Sequence, residues 1–242
     1  MKQKVFSISL ARGGSKGIPR KNVINIAGKP LIAYTIDAAK NAGVFDRVFV
    51  NTDDKEIAEV AKKYGAEVPF LRPDKFALSD TKVLDVLVHF AKWLKEEGDV
   101  PDYLVLLQTT APLRNMRHAR EATELLIRSG ADSVIGVNEV SGNTHPLWTF
   151  EQDRDEYLKI WGGGAVRDII PLRQQLPRAL RTNGSIFGFR TALLYEEKPT
   201  FYGNTVVGYI MDKKYSVDID DPSDLLDVEK KINVLRAEGE KI

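Results

Sequence analysis

The chain of 242 residues suits one large α/β domain with a small appendage, and 43% hydrophobic with 29% charged content is that of an ordinary soluble globular fold. A formal net charge of +1 offers no overall field to nucleic acid or an anionic membrane, and zero cysteine excludes a disulfide framework, a thiolate metal site and a thiol nucleophile. No apolar run reaches the roughly eighteen residues of a membrane span, and Met-Lys-Gln-Lys-Val leads straight into a strand without a leader, so a cytoplasmic protein with neither membrane nor nucleic-acid partner is expected.

Val5 to Leu10 is a short apolar run that reads as a buried first strand. A helix is expected from about Pro30, with Leu31, Ile32, Tyr34, Thr35 and Ala38 inward and Gly43 at its end. Arg47 to Val50 reads as a second strand, and Asp53 or Asp54 as the cap of a helix carrying Ile57, Val60, Ala61 and Tyr64. A short third strand is expected near Glu67 to Pro69. After the loop Ala77 to Thr81, Val83, Leu87, Phe90, Ala91 and Leu94 repeat at helical spacing. Tyr103 to Leu107 is apolar throughout, as a central parallel strand should be. A helix over about Asn115 to Ser129 and a strand over Asp132 to Val137 continue the alternation, which argues for a doubly wound, mostly parallel sheet with helices on both faces.

From about Asn138 to Thr182 the alternation stops. Short pieces around Gly162-Gly163-Gly164 suggest an inserted β-rich arm for substrate or oligomer contacts within a single domain spanning 1–242. Strands are then expected at Ser185 to Phe189, Thr205 to Met211 and Tyr215 to Ile219. A last helix starts at Asp221-Pro222, with Leu225, Val228, Ile232 and Leu235 on one stripe.

Between the first strand and Leu31 lie about twenty residues where such links usually take two to six. Leu10 to Asn22 holds Arg12, Gly13, Gly14, Ser15, Lys16, Gly17, Arg20 and Lys21. Glycines let backbone N–H groups approach an anion and the cations offset its charge, so a polyphosphate is the expected ligand. The spacing is neither a Walker A loop nor G-x-G-x-x-G. Its place at the carboxyl end of a first strand is where open α/β sheets bind ligands.

In Val217-Asp218-Ile219-Asp220, strand alternation would put both carboxylates on one face, where hard oxygen ligands suit Mg²⁺ shared with substrate phosphates. Asp221 and Asp224 read instead as helix-capping acids. Gln108 and Arg114 flank the turn after the central strand, and Arg114 at a helix start calls for an anion nearby. His145, beside Pro146 and Trp148, reads as a packed turn residue or as a ligand contact. Arg173, Gln174, Arg178, Arg181 and Asn183 form a basic cluster suited to gripping a carboxylate. No Ser-His-Asp or zinc arrangement stands out. Residues alone point to a soluble α/β domain that binds a polyphosphate and a divalent cation.

The motifs together resemble the acylneuraminate cytidylyltransferases, the CMP-sialic acid synthetases. They are Arg12-Gly-Gly-Ser15-Lys16-Gly17 with Lys21-Asn22, Gln108-Thr-Thr-Ala-Pro112-Leu113-Arg114, His145-Pro-Leu-Trp148, Arg173-Gln174 with Asn183-Gly184-Ser185, and Asp218-Ile219-Asp220. The resemblance implies a nucleotidyltransferase-type Rossmann-like fold with a small dimerisation excursion. It implies a reaction in which CTP and a nine-carbon α-keto acid sugar give the CMP-sugar and pyrophosphate. Arg12, Gly13, Ser15, Lys21 and Asn22 would then hold CTP, with Arg72, Ser79 and Gln108 lining the nucleotide site. Arg12, Lys16 and Lys21 would neutralise the leaving pyrophosphate. Gln108, Arg114, His145, Arg173, Gln174, Arg181 and Asn183 would meet the sugar, with Phe187, Phe201 and Tyr202 shaping its pocket and Arg173 acting from the partner of a homodimer. Asp218 and Asp220 would hold Mg²⁺, or Mn²⁺ in its place. Kdo cytidylyltransferases resemble this chain at the first loop, but theirs typically reads as a Ser-Thr-Arg version, and Gly-Ser-Lys with Asn183-Gly184 favours the nonulosonate branch. A sugar-1-phosphate nucleotidyltransferase and a CTP-binding regulator are the competing readings.

Overall fold

A computed structural model of the chain describes residues 2–15, 17–140 and 142–242. The strands are β1 (Val5–Leu10), β2 (Asn25–Ile26), β3 (Lys29–Pro30), β4 (Arg47–Asn51), β5 (Tyr103–Leu107), β6 (Ser133–Val140), β7 (Phe150–Gln152), β8 (Leu158–Ile160), β9 (Ala179–Arg190) and β10 (Val206–Ile210). The α-helices are α1 (Leu31–Ala42), α2 (Lys55–Lys63), α3 (Val83–Glu96), α4 (Met116–Ser129) and α5 (Pro222–Ala237). Six strands form the central sheet in the order β10-β6-β9-β5-β1-β4. Only β9 runs against its neighbours within that sheet, with Leu107 opposite Ile186 and Ile135 opposite Phe187. The carboxyl ends of β1, β4, β5 and β6 therefore share one edge with the incoming end of β9.

The apolar run of β5 is buried because both faces are covered. On one face Val105, Leu107, Val134 and Ile186 pack with Leu31 and Tyr34 of α1, Ala119 and Leu126 of α4, and Val228 and Ile232 of α5. On the other, Phe6, Ile8, Leu104, Leu106 and Phe189 meet Leu87, Phe90 and Leu94 of α3. Each such side chain contributes about 1.5–3 kcal/mol on burial. α2 closes the β4 edge through Ile57 and Ala61 against Ile36 and Val50. Gly188 lets α4 approach the sheet, since a Cβ there would stand 2.9 Å from Val134 Cγ1 and 3.1 Å from Leu126 Cδ2.

Several expected boundaries hold for the expected reasons. Asp54, of the two candidate caps, accepts from the Ile57 amide at 3.0 Å. Asp221 caps α5 in a reciprocal box with Asp224, with Pro222 in the first turn. The expected strand near Glu67 is reduced to isolated parallel bridges, Phe49 with Glu67 and Thr52 with Leu71. The expected strand at Tyr215 to Ile219 is absent. Asp212 caps a 3-10 turn over Lys213–Tyr215, and the chain then crosses the sheet's carboxyl edge with the Ile219 amide donating to the Thr110 carbonyl at 3.0 Å. The excursion grows from a ladder, because Val140 pairs with Ala179 and Asn138 with Arg181. Beyond that base lie the β7–β8 hairpin and 3-10 turns.

His118 completes the start of α4. Its Nδ1 accepts from the Asn115 amide at 3.2 Å while Asn115 Oδ1 accepts from the Arg117 and His118 amides. Burial, and then the nearby Arg117 and Arg114 cations, push the imidazole from about 6.5 down to about 3. A depressed folded-state value means the unfolded chain takes up this proton first, so stability present above pH 6.5 is lost as pH falls towards 3. We expect a loss of up to about 1.4 kcal/mol per pH unit in that window from this group. His118→Gln, which keeps the reciprocal cap, should flatten the fall when denaturation midpoints are compared at neutral and mildly acidic pH.

Candidate functional site

The long first loop is fastened to the sheet's carboxyl edge on several sides. Asn22 is buried, donating through Nδ2 to the Arg12 carbonyl at 3.0 Å and accepting from Thr109 Oγ1 at 2.7 Å. Lys21 Nζ donates to the Ile219 carbonyl at 2.6 Å. Gly17 lies so close to the acidic segment that a Cβ would stand 2.5 Å from the Asp220 carbonyl oxygen. The Gly13 amide donates to Asp53 Oδ1 at 3.1 Å. Arg20, held at φ 57°, pairs with Asp54 Oδ2 at 2.5 Å and with Glu56. Lys16, expected to face the leaving group, lies outside the described residues.

Asp218 and Asp220 meet this loop by a route other than strand alternation. They flank Ile219, whose amide is held by Thr110 and whose carbonyl is held by Lys21. A β-bulge opposite Gly136 brings Gly184, at φ 71°, to within 3.4 Å of Asp218 Oδ2 as measured from a built Cβ. Bulges commonly re-aim backbone beside functional sites. Crowding by neighbouring atoms pushes the Asp218 carboxyl above the usual range; Thr110's hydrogen bond and Lys21 oppose that rise, and the Asp220 charge adds to it. A cation between the carboxylates would relieve that penalty. Among the described residues no group of three or more His, Asp or Glu could hold a metal. Two carboxylates fit Mg²⁺ only in a site completed by water and substrate phosphate oxygens, which is its common habit.

Beside the loop, Arg12, Arg72, Ser79 and Gln108 line a cavity of about 270 Å³ together with Leu10 and Phe76. Arg72 is buried, with Nη2 on the Asn51 carbonyl at 3.1 Å and Nη1 on that of Phe76 at 3.5 Å, while Nε has no partner among the described residues. Burial holds its pKa below the ordinary value against the opposing pull of Asp53, with Arg12 adding to the drop. An unpaired buried N–H is a donor waiting for an acceptor. Arg12 Nη1 donates to the Leu78 carbonyl at 3.2 Å, so both arginines also brace the segment that covers the cavity.

The remaining candidates separate into groups. Arg173 and His145 line a cavity of about 570 Å³ with Arg178, between the excursion and β10. His145 packs as a turn residue in the wall of this cavity: its Nδ1 accepts from the Leu147 amide at 3.2 Å and its Nε2 meets the Pro177 carbonyl at 2.9 Å. Gln174 and Arg181 are exposed. Asn183 is engaged within the bulge, its Oδ1 accepting from Ser185 Oγ at 2.6 Å and its Nδ2 donating to Ser216 Oγ at 3.2 Å. Phe187 meets Phe201 edge to face with ring centres 5.9 Å apart on the α3 face, and Phe201 meets Tyr202 in a tilted pair at 4.5 Å. Arg114 is fully buried behind the site, and Nη2 donates to Thr35 Oγ1 at 2.8 Å and to the Gln108 carbonyl at 3.3 Å. Sequence reasoning missed Asp53 and Arg20 as organisers of the loop. The position of Asn51-Thr52-Asp53-Asp54 at the carboxyl end of β4, next to β1, was the available signal.

A cationic glycine loop is tied to the backbone of the Asp218–Asp220 segment at the ends of parallel strands, an arrangement suited to an α/β protein that binds a phosphate-bearing ligand there. The sequence matches the cytidylyltransferase family over residues 7–153. It is 36% identical over 159 residues to a pseudaminic acid cytidylyltransferase of Campylobacter jejuni, covering 64% of this chain and 67% of that one. It is 34% identical to an N-acylneuraminate cytidylyltransferase of Streptococcus agalactiae over 93% of this chain and 52% of that protein, so the chain spans about half the length of this relative. Identity is 32% to a CMP-N,N'-diacetyllegionaminic acid synthase of Legionella pneumophila, covering 94% of this chain and 95% of that one. Among solved structures, a CMP:2-keto-3-deoxy-manno-octonic acid synthetase complexed with CTP shares the fold, with TM-score 0.71 at 18% identity over 98% of this chain and 100% of that one. The chain belongs to the cytidylyltransferase family. Gly17→Ala should force the loop off the Asp220 carbonyl, and misplacement on that scale costs about tenfold to a hundredfold in rate. Steady-state kinetics with varied CTP would show it, and unchanged kinetics would contradict the close contact.

Proposed function

We propose that this enzyme transfers CMP from CTP to the anomeric hydroxyl of a nonulosonic acid, releasing pyrophosphate. The observation that carries the reading is the convergence of the loop at Arg12–Asn22, Gln108 and the Asp218/Asp220 pair at one sheet edge. The names of the relatives support the substrate class. CTP would place its base in the cavity of Arg72 and Ser79 and its phosphates along Arg12, Gly13, Ser15 and Lys21. Arg72 Nε, free of partners among the described residues, would donate to a pyrimidine acceptor.

The hydroxyl attacks the α-phosphorus in line, its proton passing to solvent as the O–P bond forms, and pyrophosphate departs with the electron pair of the broken P–O bond. Negative charge spreads over the phosphate oxygens, so positioning and charge stabilisation carry most of the acceleration. Lys21 sits at the junction, one donor already on the Ile219 carbonyl and the others free to meet a phosphate oxygen. Asp218 and Asp220 would hold Mg²⁺, or Mn²⁺ in its place, which when bound would polarise the α-phosphoryl group. The basic residues Arg173 and Arg181 would grip the sugar carboxylate, with Arg173 offered across a homodimer built on the excursion. Phe187, Phe201 and Tyr202 would border the sugar's tail. Arg114 would serve from beneath, by holding the Gln108 carbonyl. A cytoplasmic location accords with use of CTP.

Pyrophosphate release with CTP and Mg²⁺ against N-acetylneuraminic, legionaminic and pseudaminic acids, Kdo and sugar 1-phosphates tests the reading. Release with one nonulosonic acid is expected, and release with a sugar phosphate alone would contradict it. Asp218→Asn should lower turnover by about a hundredfold or more while CTP still binds, as read by calorimetry. Undiminished turnover would remove the metal assignment.

A further inference from the structure

Behind the Gln108 loop lies a separate cavity of about 580 Å³, bounded by α1, the start of α4 and the end of α5. Lys29, Arg114, Arg236 and Lys241 line it, against the acids Asp37 and Glu240. Both acids already have partners. Asp37 Oδ2 takes Lys29 Nζ at 2.6 Å, and Glu240 Oε1 takes the Tyr215 hydroxyl at 2.5 Å. Arg236 uses Nη1 on the Ala27 carbonyl at 2.7 Å and Nη2 on the Tyr34 hydroxyl at 3.2 Å.

Arg114 is the unusual member. It is fully buried, yet its Nε and Nη1 have no hydrogen-bond partner among the described residues. The bonds it does make go to a hydroxyl and a carbonyl rather than to a carboxylate. An isolated buried cation is costly unless an opposite charge meets it. The first amides of α4 are already capped by Asn115, so the positive character of the cavity comes from side chains.

We infer that this cavity is a second anion-binding site, distinct from the phosphate loop, which takes a compact multivalent oxyanion such as phosphate or a small polycarboxylate. Lys29, Arg236 and Lys241 meet the anion first. Arg114 is fully buried in the cavity wall, where the low-dielectric surroundings weaken the screening of its charge. Because the same guanidinium holds the Gln108 carbonyl at 3.3 Å, occupancy of this cavity is coupled to the placement of the Gln108 loop.

The test is calorimetric titration at fixed ionic strength with inorganic phosphate and, separately, citrate. The protein carries Lys21→Ala, which weakens the anion grip of the phosphate loop. Saturable one-site binding should persist, and Lys29→Ala or Arg236→Ala in that background should weaken it by about tenfold or more, the loss expected when a charge-assisted contact is removed. Arg114→Met should abolish it. The two rim variants keep the test valid if that core change impairs folding. Tighter binding of citrate than phosphate would identify a polycarboxylate as the preferred class, and the reverse a phosphate. Loss of binding on Lys21→Ala alone, indifference to the rim variants, or no saturable binding of either anion would overturn the site.

Discussion

Lys21 reaches across 198 positions of sequence to donate to the carbonyl of Ile219. That bond joins two segments that lie outside the sheet and the α-helices, the glycine loop after β1 and the acidic stretch before α5. Its neighbours repeat the pattern, because Asn22 bonds Arg12 and Thr109 while Thr110 bonds Ile219. Three loops are thereby tied at the carboxyl edge of a rigid sheet. A site that must align a phosphorus, a nucleophile and a leaving group needs that rigidity, since small misplacements cost large factors in rate. Gly17 shows how little slack remains, for its Cα hydrogen faces the Asp220 carbonyl where no methyl would fit.

The antiparallel β9 has a related role. Its incoming end arrives where β5 leaves, so Gly184 and Asp218 approach at the same height as Gln108. The bulge opposite Gly136 turns Asn183 and Ser185 onto each other and onto Ser216, which stiffens this side of the cleft. The ladder from β6 and β9 continues outward into the excursion, so any contact made there is mechanically connected to the site. His145 and Trp148 pin that excursion through the Pro177 and Ile170 carbonyls.

Much of the fold was legible because local chemistry dictates it. The apolar runs of β1 and β5, the Asp54 cap of α2 and the Asp221-Pro222 start of α5 are all decided within a few residues. The stretch at 215–219 alternates like a strand without being one, because alternation says nothing about whether a partner edge exists, and here Ile219 bonds the Thr110 loop instead. The loop at 11–22 and the Asp218/Asp220 pair were legible as composition, while their contact was not. The Gly13–Asp53 and Arg20–Asp54 bonds span 40 and 34 positions, beyond the reach of any local pattern. Arg114 carried a readable electrostatic conflict at a helix start, but only burial shows that its direct partners are Thr35 and Gln108.

The most direct measurement is a crystal structure with a non-hydrolysable CTP analogue and Mg²⁺. The expected result is a triphosphate along Arg12 to Lys21, a cytosine against Arg72 and Ser79, and a metal bridging Asp218, Asp220 and a phosphate oxygen. A nucleotide seated elsewhere, or a triphosphate held without contact to the glycine loop, would contradict the account.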